Sequence, residues 1–251
     1  MYEFPSFVYL DVEKTGSTFI FQVLSDFASE QPIQRDHHAP MPADCDRSKF
    51  YFISVRDPLD SYISLYSFGC GSRGKIRTRF DRLDLSHFYD GTAEGFNDWL
   101  RFTLKMKNRK VVDGGYADAG SNIPELMGPQ SYRFLRLAVP GARGRIDACK
   151  TRDDVRALYF SEKLPSFFVR YENFVGDLSK LLCGPLCEWV TDVDAAIEFV
   201  KSAPPRNPSD RVDKNNADFT VRPKLLEKLR DREWLLFELF GYGTPAPSRS
   251  V

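Results

Sequence analysis

The chain has 251 residues, of which 42% are hydrophobic and 28% charged, and its 35 basic residues are balanced by 35 acidic ones. This composition is that of a globular protein and excludes a disordered chain, while the absence of net charge argues against a nucleic-acid partner. No apolar run approaches the length of a membrane span, and the first residues lack the basic and apolar segments of a signal peptide. We therefore expect a single domain over 1–251, cytoplasmic and without stable membrane insertion.

The first predicted elements are a strand at residues 6–12 and a helix at 17–29, joined by the turn KTGST. A helix that begins in such a turn presents unpaired N–H groups and the positive end of its dipole, which is typical of a phosphate site. A Walker A loop places its lysine after the glycines, whereas here the lysine comes first, so ordinary NTP hydrolysis is a poor match. The candidate phosphate ligands in the turn are Lys14, Thr15, Gly16, Ser17 and Thr18.

The second motif repeats this arrangement, with a predicted strand at 49–56 followed by a helix at 58–68. Asp57 suits the N-cap of that helix, and the proline after it suits the first helical position. Arg56 then lies at the carboxyl end of a strand, where open α/β sheets bind ligands. Two strand-to-helix turns, each equipped for an anion, indicate a ligand with two separated phosphate groups.

With these two motifs the chain resembles the sulfotransferases that use 3′-phosphoadenosine 5′-phosphosulfate (PAPS). In that family an element of the form KTGST binds the 5′-phosphosulfate, and a later RDPxxRxxSxY element binds the 3′-phosphate. The segment RDPLDSYISLY matches this pattern at Arg56 and at Ser64. It departs from the pattern at Ser61, where many members carry a second arginine, and Glu13 stands where proline is frequent.

The resemblance extends to three later segments. Residues 165–182 resemble the family's RYEDL strand and the helix after it, and 225–243 resemble the final helix that ends in an aromatic run and GY. Residues 202–218 read as an exposed loop, and in the family a comparable loop folds over the nucleotide. The resemblance thus implies Arg211 and Lys214 as further cofactor contacts, although charges on such a loop are also commonly solvated.

Strands and helices alternate along the first part of the chain, including a short strand near 32–36. This order predicts an α/β fold with a parallel β-sheet flanked by helices. The resemblance implies the P-loop-NTPase-like sulfotransferase fold. Farther along, the pattern predicts a helix at 93–111, a loop at 113–130 and a short helix at 131–138.

Sulfuryl transfer requires a stabilised leaving group and a base for the acceptor proton, and Lys14 is suited to the first task. The chain has three histidines, and two of them, His37 and His38, follow the short strand near 32–36. In the resembled uronosyl 2-sulfotransferases histidines occupy this interval. We expect His38, or else His37, to be the base. The alternative is that the two histidines form an exposed turn before two prolines and have no catalytic role. His87 is expected to be structural.

The implied donor is PAPS and the product is adenosine 3′,5′-bisphosphate (PAP). The acceptor is expected to be a small-molecule or glycan hydroxyl, most plausibly of a carbohydrate or glycolipid. We expect the acceptor cleft to be shaped by residues 70–160, which carry no resemblance to the family. No metal is expected, because the five cysteines are scattered and Cys183 and Cys187 are four apart without the CxxC spacing. Two alternatives stay open: a P-loop-like small-molecule kinase, and an inactive module that binds nucleotide or glycan.

Overall fold

The computed structural model describes residues 1–112, 115–116, 121–202 and 219–243. No helix within these ranges is long and apolar enough to cross a membrane. The strands are β1 (Tyr2–Glu3), β2 (Phe7–Leu10), β3 (Gln34–Arg35), β4 (Phe50–Val55) and β5 (Phe167–Arg170). The helices are α1 (Ser17–Phe27), α2 (Pro58–Cys70), α3 (Lys75–Asp81), α4 (Ala93–Thr103), α5 (Arg109–Val112), α6 (Ile123–Leu126), α7 (Pro129–Ala138), α8 (Ala142–Ala148), α9 (Arg152–Glu162), α10 (Phe174–Cys183), α11 (Val193–Ser202), α12 (Pro223–Arg232) and α13 (Trp234–Phe240).

The five strands form one mixed sheet in the order β3-β1-β2-β4-β5. β2, β4 and β5 are parallel, whereas β1 is antiparallel to both of its neighbours. The prediction of an α/β fold is confirmed, and that of a wholly parallel sheet is wrong at β1. The reason is the short link between β1 and β2, which turns where the N–H of Phe4 donates to the carbonyl oxygen of Phe7 at 2.8 Å. Such a hairpin is too short for a parallel crossover.

The described residues divide into two compact units, each with its own apolar core. The first unit comprises 1–56 and 133–202 and contains the sheet, whose β2 is buried along its whole length. Continuous apolar strands of this kind are typical of parallel sheets covered on both faces. The second unit comprises the described residues within 57–132 and 219–243, and its core is rich in aromatic side chains such as Trp99.

The helices nearest the two motifs form where the sequence predicts them. α1 begins at Ser17 as expected and ends two residues earlier than predicted, at Phe27. The cap of α2 is confirmed, because Asp57 accepts a hydrogen bond of 2.7 Å from the backbone N–H of Leu59, and proline occupies the first helical position. The predicted loop at 113–130 is interrupted by α6.

Two long predicted helices are each broken. The helix expected at 93–111 ends at Thr103. There the side-chain amide nitrogen of Asn108 donates to the carbonyl oxygen of Phe102 at 2.9 Å and so pairs one of the carbonyl groups that a helix end leaves without a partner. The helix expected at 225–243 is divided into α12 and α13 at Glu233.

Glu233 is fully buried and explains the second break. One carboxylate oxygen accepts from the Tyr62 hydroxyl at 2.6 Å and from the Gln130 N–H at 3.2 Å. The other accepts from the N–H and the hydroxyl of Ser131, at 2.8 and 2.9 Å. The N–H groups belong to the first turn of α7, where a negative charge is favourable. Within the second unit, the Glu233 carboxylate lies at the junction of α12 and α13 and therefore caps the first turn of α7.

We expect Glu233→Gln to lower the free energy of unfolding by about 1–3 kcal/mol, because the amide nitrogen that replaces one oxygen faces donors and cannot accept from them. Chemical denaturation with equilibrium analysis measures the change. The matched control is Glu227→Gln on the exposed face of α12, for which a change within about 0.5 kcal/mol is expected. Equal stabilities for the two variants would contradict the capping role.

Candidate functional site

The KTGST turn follows β2 and is anchored by its first threonine, Thr15. The hydroxyl of Thr15 donates to the carbonyl oxygen of Val12 at 2.7 Å and lies 2.6 Å from the hydroxyl oxygen of Ser54 on β4. Ser54 in turn lies 2.7 Å from the hydroxyl oxygen of Tyr9. Thr15 is thus buried and engaged with protein groups, which leaves its backbone as its means of contact with a ligand. The chain of hydroxyls from Thr15 through Ser54 to Tyr9 fixes the turn to β4 and β2.

Two residues of the turn have left-handed backbone conformations. Lys14 has φ 69° and Gly16 has φ 86°. A positive φ is uncommon for a lysine, and such conformations cluster at functional sites, where the surrounding structure holds them. Among the described residues only four that are not glycine have a positive φ, and Lys14 and His38 are two of them.

Gly16 is required for packing as well as for conformation. A Cβ at this position would lie 2.7 Å from Cε2 of Phe174, the first residue of α10. Gly16, a candidate phosphate ligand in the sequence, is thus also constrained by the packing of the protein itself. Gly16 is also the N-cap of α1, since its carbonyl oxygen accepts from the N–H groups of Phe19 and Ile20 at 3.0 and 3.2 Å. At the start of that helix Ser17 is buried and Thr18 is exposed.

Arg56 follows β4 and joins the second motif to the first. Its Nη1 donates to the carbonyl oxygen of Lys14 at 3.2 Å. Its guanidinium lies 4.0 Å from the ring centre of Tyr171, which follows β5. Because β2, β4 and β5 are parallel, all three residues come from carboxyl ends of strands at one edge of the sheet. The ring and the carbonyl oxygen hold the guanidinium there, where it is mostly buried.

The two adjacent histidines reach the same edge by an unexpected route. β3 is antiparallel to β1, and β1 is antiparallel to β2, so β3 runs in the direction of β2. The carboxyl ends of β2 and β3 therefore lie on the same side. In agreement with this, the backbone N–H of His38 donates to Oδ1 of Asp11, the residue that follows β2, at 3.1 Å.

His38 is oriented by three groups of the first unit. Besides the backbone bond to the Asp11 carboxylate, its Nδ1 lies 2.6 Å from the carbonyl oxygen of Asp11, and its own carbonyl oxygen accepts from Arg136. A carbonyl oxygen only accepts, so this geometry assigns the proton to Nδ1 and the lone pair to Nε2. The backbone is left-handed, with φ 55°, and the side chain is 33% exposed. His38 thus presents Nε2 as its basic nitrogen.

His37 is more exposed and contacts a tyrosine. The Tyr2 hydroxyl oxygen lies 2.9 Å from Nδ1 and 2.7 Å from Nε2, and Nδ1 is 3.2 Å from Oδ2 of Asp11. Burial, together with the negative charge of Asp11, raises the pKa of Tyr2 to about 12, so its hydroxyl stays protonated at neutral pH. Among the described residues, no comparable hydrogen bond reaches Nε2 of His38. Of the two histidines, His38 is therefore the better placed base.

Several residues of this edge were missed by the sequence interpretation. Asp11 had a signal, since it is an acid that directly follows a buried apolar strand. Arg133 and Arg136 lie three residues apart in the apolar sequence of α7, and Nη1 of Arg133 is 3.1 Å from Oε2 of Glu13. Tyr171 lies in the segment that resembles RYEDL but was given no role in the site, and Tyr2 carried no local signal, because only tertiary packing brings their rings to Arg56 and to His37.

Three predicted ligands are not among the described residues of the first unit. Ser64 belongs to the second unit, where it is buried on α2. Arg211 and Lys214 lie outside the described residues and stay sequence predictions. His87, expected to be structural, lies in the second unit, where its ring centre is 4.5 Å from that of Phe88.

The arrangement places an ammonium-bearing residue, a guanidinium and an oriented imidazole at one edge of the sheet. Comparison with protein-family models, with curated proteins and with solved structures finds no match for this chain. What the site does is therefore argued from its residues and from the motifs.

We expect Gly16→Ala to destabilise the protein by about 2 kcal/mol or more, because alanine at positive φ is strained and its methyl group meets the Phe174 ring. Thermal or chemical unfolding measures the effect. The control is Gly144→Ala in α8, where an added Cβ meets nothing within 4 Å. That variant should be neutral or gain up to about 1 kcal/mol from helix propensity. A Gly16→Ala protein as stable as wild type would contradict this account of the turn.

Proposed function

We propose that the protein is a sulfotransferase that transfers a sulfuryl group from PAPS to a hydroxyl of a carbohydrate or glycolipid acceptor. The observation that carries the proposal is the hydrogen bond of 3.2 Å from Arg56 to the carbonyl oxygen of Lys14. It brings together the ends of the two motifs that the resembled family uses for the two phosphate groups of one nucleotide. Their joint presence at one edge is what a doubly phosphorylated ligand requires.

The residues present fit such a ligand. The start of α1 offers backbone N–H groups, and Lys14, three residues before that helix, carries an ammonium group, which together suit the 5′-phosphosulfate. Arg56 offers a planar group with several donors, one of which goes to Lys14, and its stacking on Tyr171 preorients it for the 3′-phosphate. Ser17 and Thr18 would supplement the first group of contacts, and Ser64 is the predicted supplement to the second.

The donor supplies an activated sulfuryl group, and the protein's own residues supply orientation, a base and charge. His38 accepts the acceptor's proton on Nε2 as the acceptor oxygen forms its bond to sulfur. The bond between sulfur and the bridging oxygen breaks, and the Lys14 ammonium opposes the negative charge left on the departing phosphate. The contacts from Asp11 keep the proton of His38 on Nδ1, so that Nε2 is ready to accept.

Nucleotide binding is tested by titration calorimetry with adenosine 3′,5′-bisphosphate. We expect Lys14→Ala and Arg56→Ala each to raise Kd by about tenfold or more, since each removes charge-assisted hydrogen bonds of about 1.5–3 kcal/mol. Lys201→Ala, at the exposed end of α11, is the control and should leave Kd unchanged. Tighter binding of ATP than of the bisphosphate would favour the kinase alternative.

The role of His38 is tested by transfer of radiolabelled sulfate from PAPS to a panel of sugars, lipids and phenols. We expect His38→Ala to lower kcat by about 100-fold or more, the usual contribution of a general base, while Kd for the bisphosphate stays within about twofold. His37→Ala should have a smaller effect, and His87→Ala, in the second unit, none. A His38→Ala variant with wild-type kcat would refute the assignment, and a wild-type protein that binds the nucleotide but sulfates no acceptor would favour the inactive module.

A further inference from the structure

We propose that Asp11, His37 and His38 also form a binding site for a divalent transition metal, best matched by zinc, and that the metal switches off the base. The binding site follows from the geometry of these three residues alone. The inhibition rests on the proposed function, because it presumes that His38 is the base.

The three side chains have the right ligand atoms at the right spacing. One atom from each lies within 4.8 Å of the others. Oδ2 of Asp11 is 3.2 Å from Nδ1 of His37 and 3.2 Å from Nδ1 of His38. With metal–ligand bonds of about 2.0–2.1 Å, the edge of a zinc tetrahedron is about 3.3 Å long. Two of the three protein edges therefore already have nearly the required length.

The surroundings suit a site with an open position. The Asp11 carboxylate is fully buried and its Oδ1 lies 2.6 Å from the Met1 nitrogen, so Oδ2 is the oxygen that faces both imidazoles. The imidazoles are exposed, His37 at 62% and His38 at 33%, which gives an ion a path from solvent and leaves a fourth position for water. The Tyr2 hydroxyl beside His37 and the backbone N–H of His38 on the carboxylate orient the ligands.

Metal binding changes the protonation of His38 in a defined way. In the metal-free protein Nδ1 carries the proton and donates it to the carbonyl oxygen of Asp11, 2.6 Å away. When Nδ1 binds the metal through its lone pair, that hydrogen bond breaks, the ring moves slightly away from the carbonyl oxygen, and the proton passes to Nε2. The neutral imidazole keeps one proton throughout. A protonated Nε2 cannot accept the proton of an acceptor hydroxyl, so the same ring is either a base or a metal ligand.

The direct test measures zinc binding by calorimetry and tetrahedral geometry by the visible absorption of bound Co²⁺. Because Cys183 and Cys187 are exposed thiols, all measurements use a Cys183→Ser/Cys187→Ser background. We expect one ion per chain, at least tenfold weaker binding in His37→Ala, and unchanged binding in His87→Ala, which removes a histidine elsewhere. Circular dichroism melting verifies that each variant is folded. No zinc binding in the background protein, or equal binding in His37→Ala, would overturn the site.

The inhibition has its own readout. We expect turnover to survive EDTA, to fall at least tenfold when zinc saturates the site, and to recover when EDTA is added, while Kd for adenosine 3′,5′-bisphosphate changes little. His37→Ala should show a much smaller fold-inhibition relative to its own metal-free rate. Zinc bound at one ion per chain without loss of turnover would overturn the switch and leave the site intact. Absence of turnover in the metal-free protein with every acceptor would instead refute the proposed function.

Discussion

A buried carboxylate at the end of β2 organises the edge of the sheet on which the candidate site lies. Asp11 is fully buried, and a charge in such a position is stable only when surrounding groups compensate it. The Met1 nitrogen lies 2.6 Å from one carboxylate oxygen, and the backbone N–H of His38, after β3, donates to the same oxygen. One side chain thus ties the antiparallel edge of the sheet to its parallel centre. The orientation of His38 depends on this carboxylate, and the choice of its protonated nitrogen depends on the backbone carbonyl oxygen of the same residue.

The parts that local chemistry determines were predictable from the sequence. The strand, turn and helix at 7–27 and at 50–70 follow from apolar runs, from a glycine at a positive-φ position and from the Asp57 cap. The position of the histidines after a short strand was also predicted. In each case the signal spans fewer than about twenty residues, so distant partners do not alter it.

What the sequence did not reveal depends on partners far apart in the chain. The antiparallel β1 has two residues and too little sequence for any periodic pattern. The break between α12 and α13 results from Glu233, whose partners lie about 100 residues or more away. The stacking of Arg56 on Tyr171 likewise requires β4 and β5 to be neighbours. Tertiary contacts of this kind override helix propensity and assign second roles to residues such as Gly16.

The pairing of β1 with β3 has a consequence for how the candidate site comes apart. β3 has two exposed residues and is joined only to β1, mainly by backbone bonds such as those from Ile33 to Glu3 and from Asp36 to Met1. So short a ladder separates from a sheet at a small fraction of the cost of global unfolding. We therefore expect the segment that carries His37 and His38 to open at lower cost than the ladders that join β2, β4 and β5. On warming, we expect its amide protons to exchange before those of β2, β4 and β5.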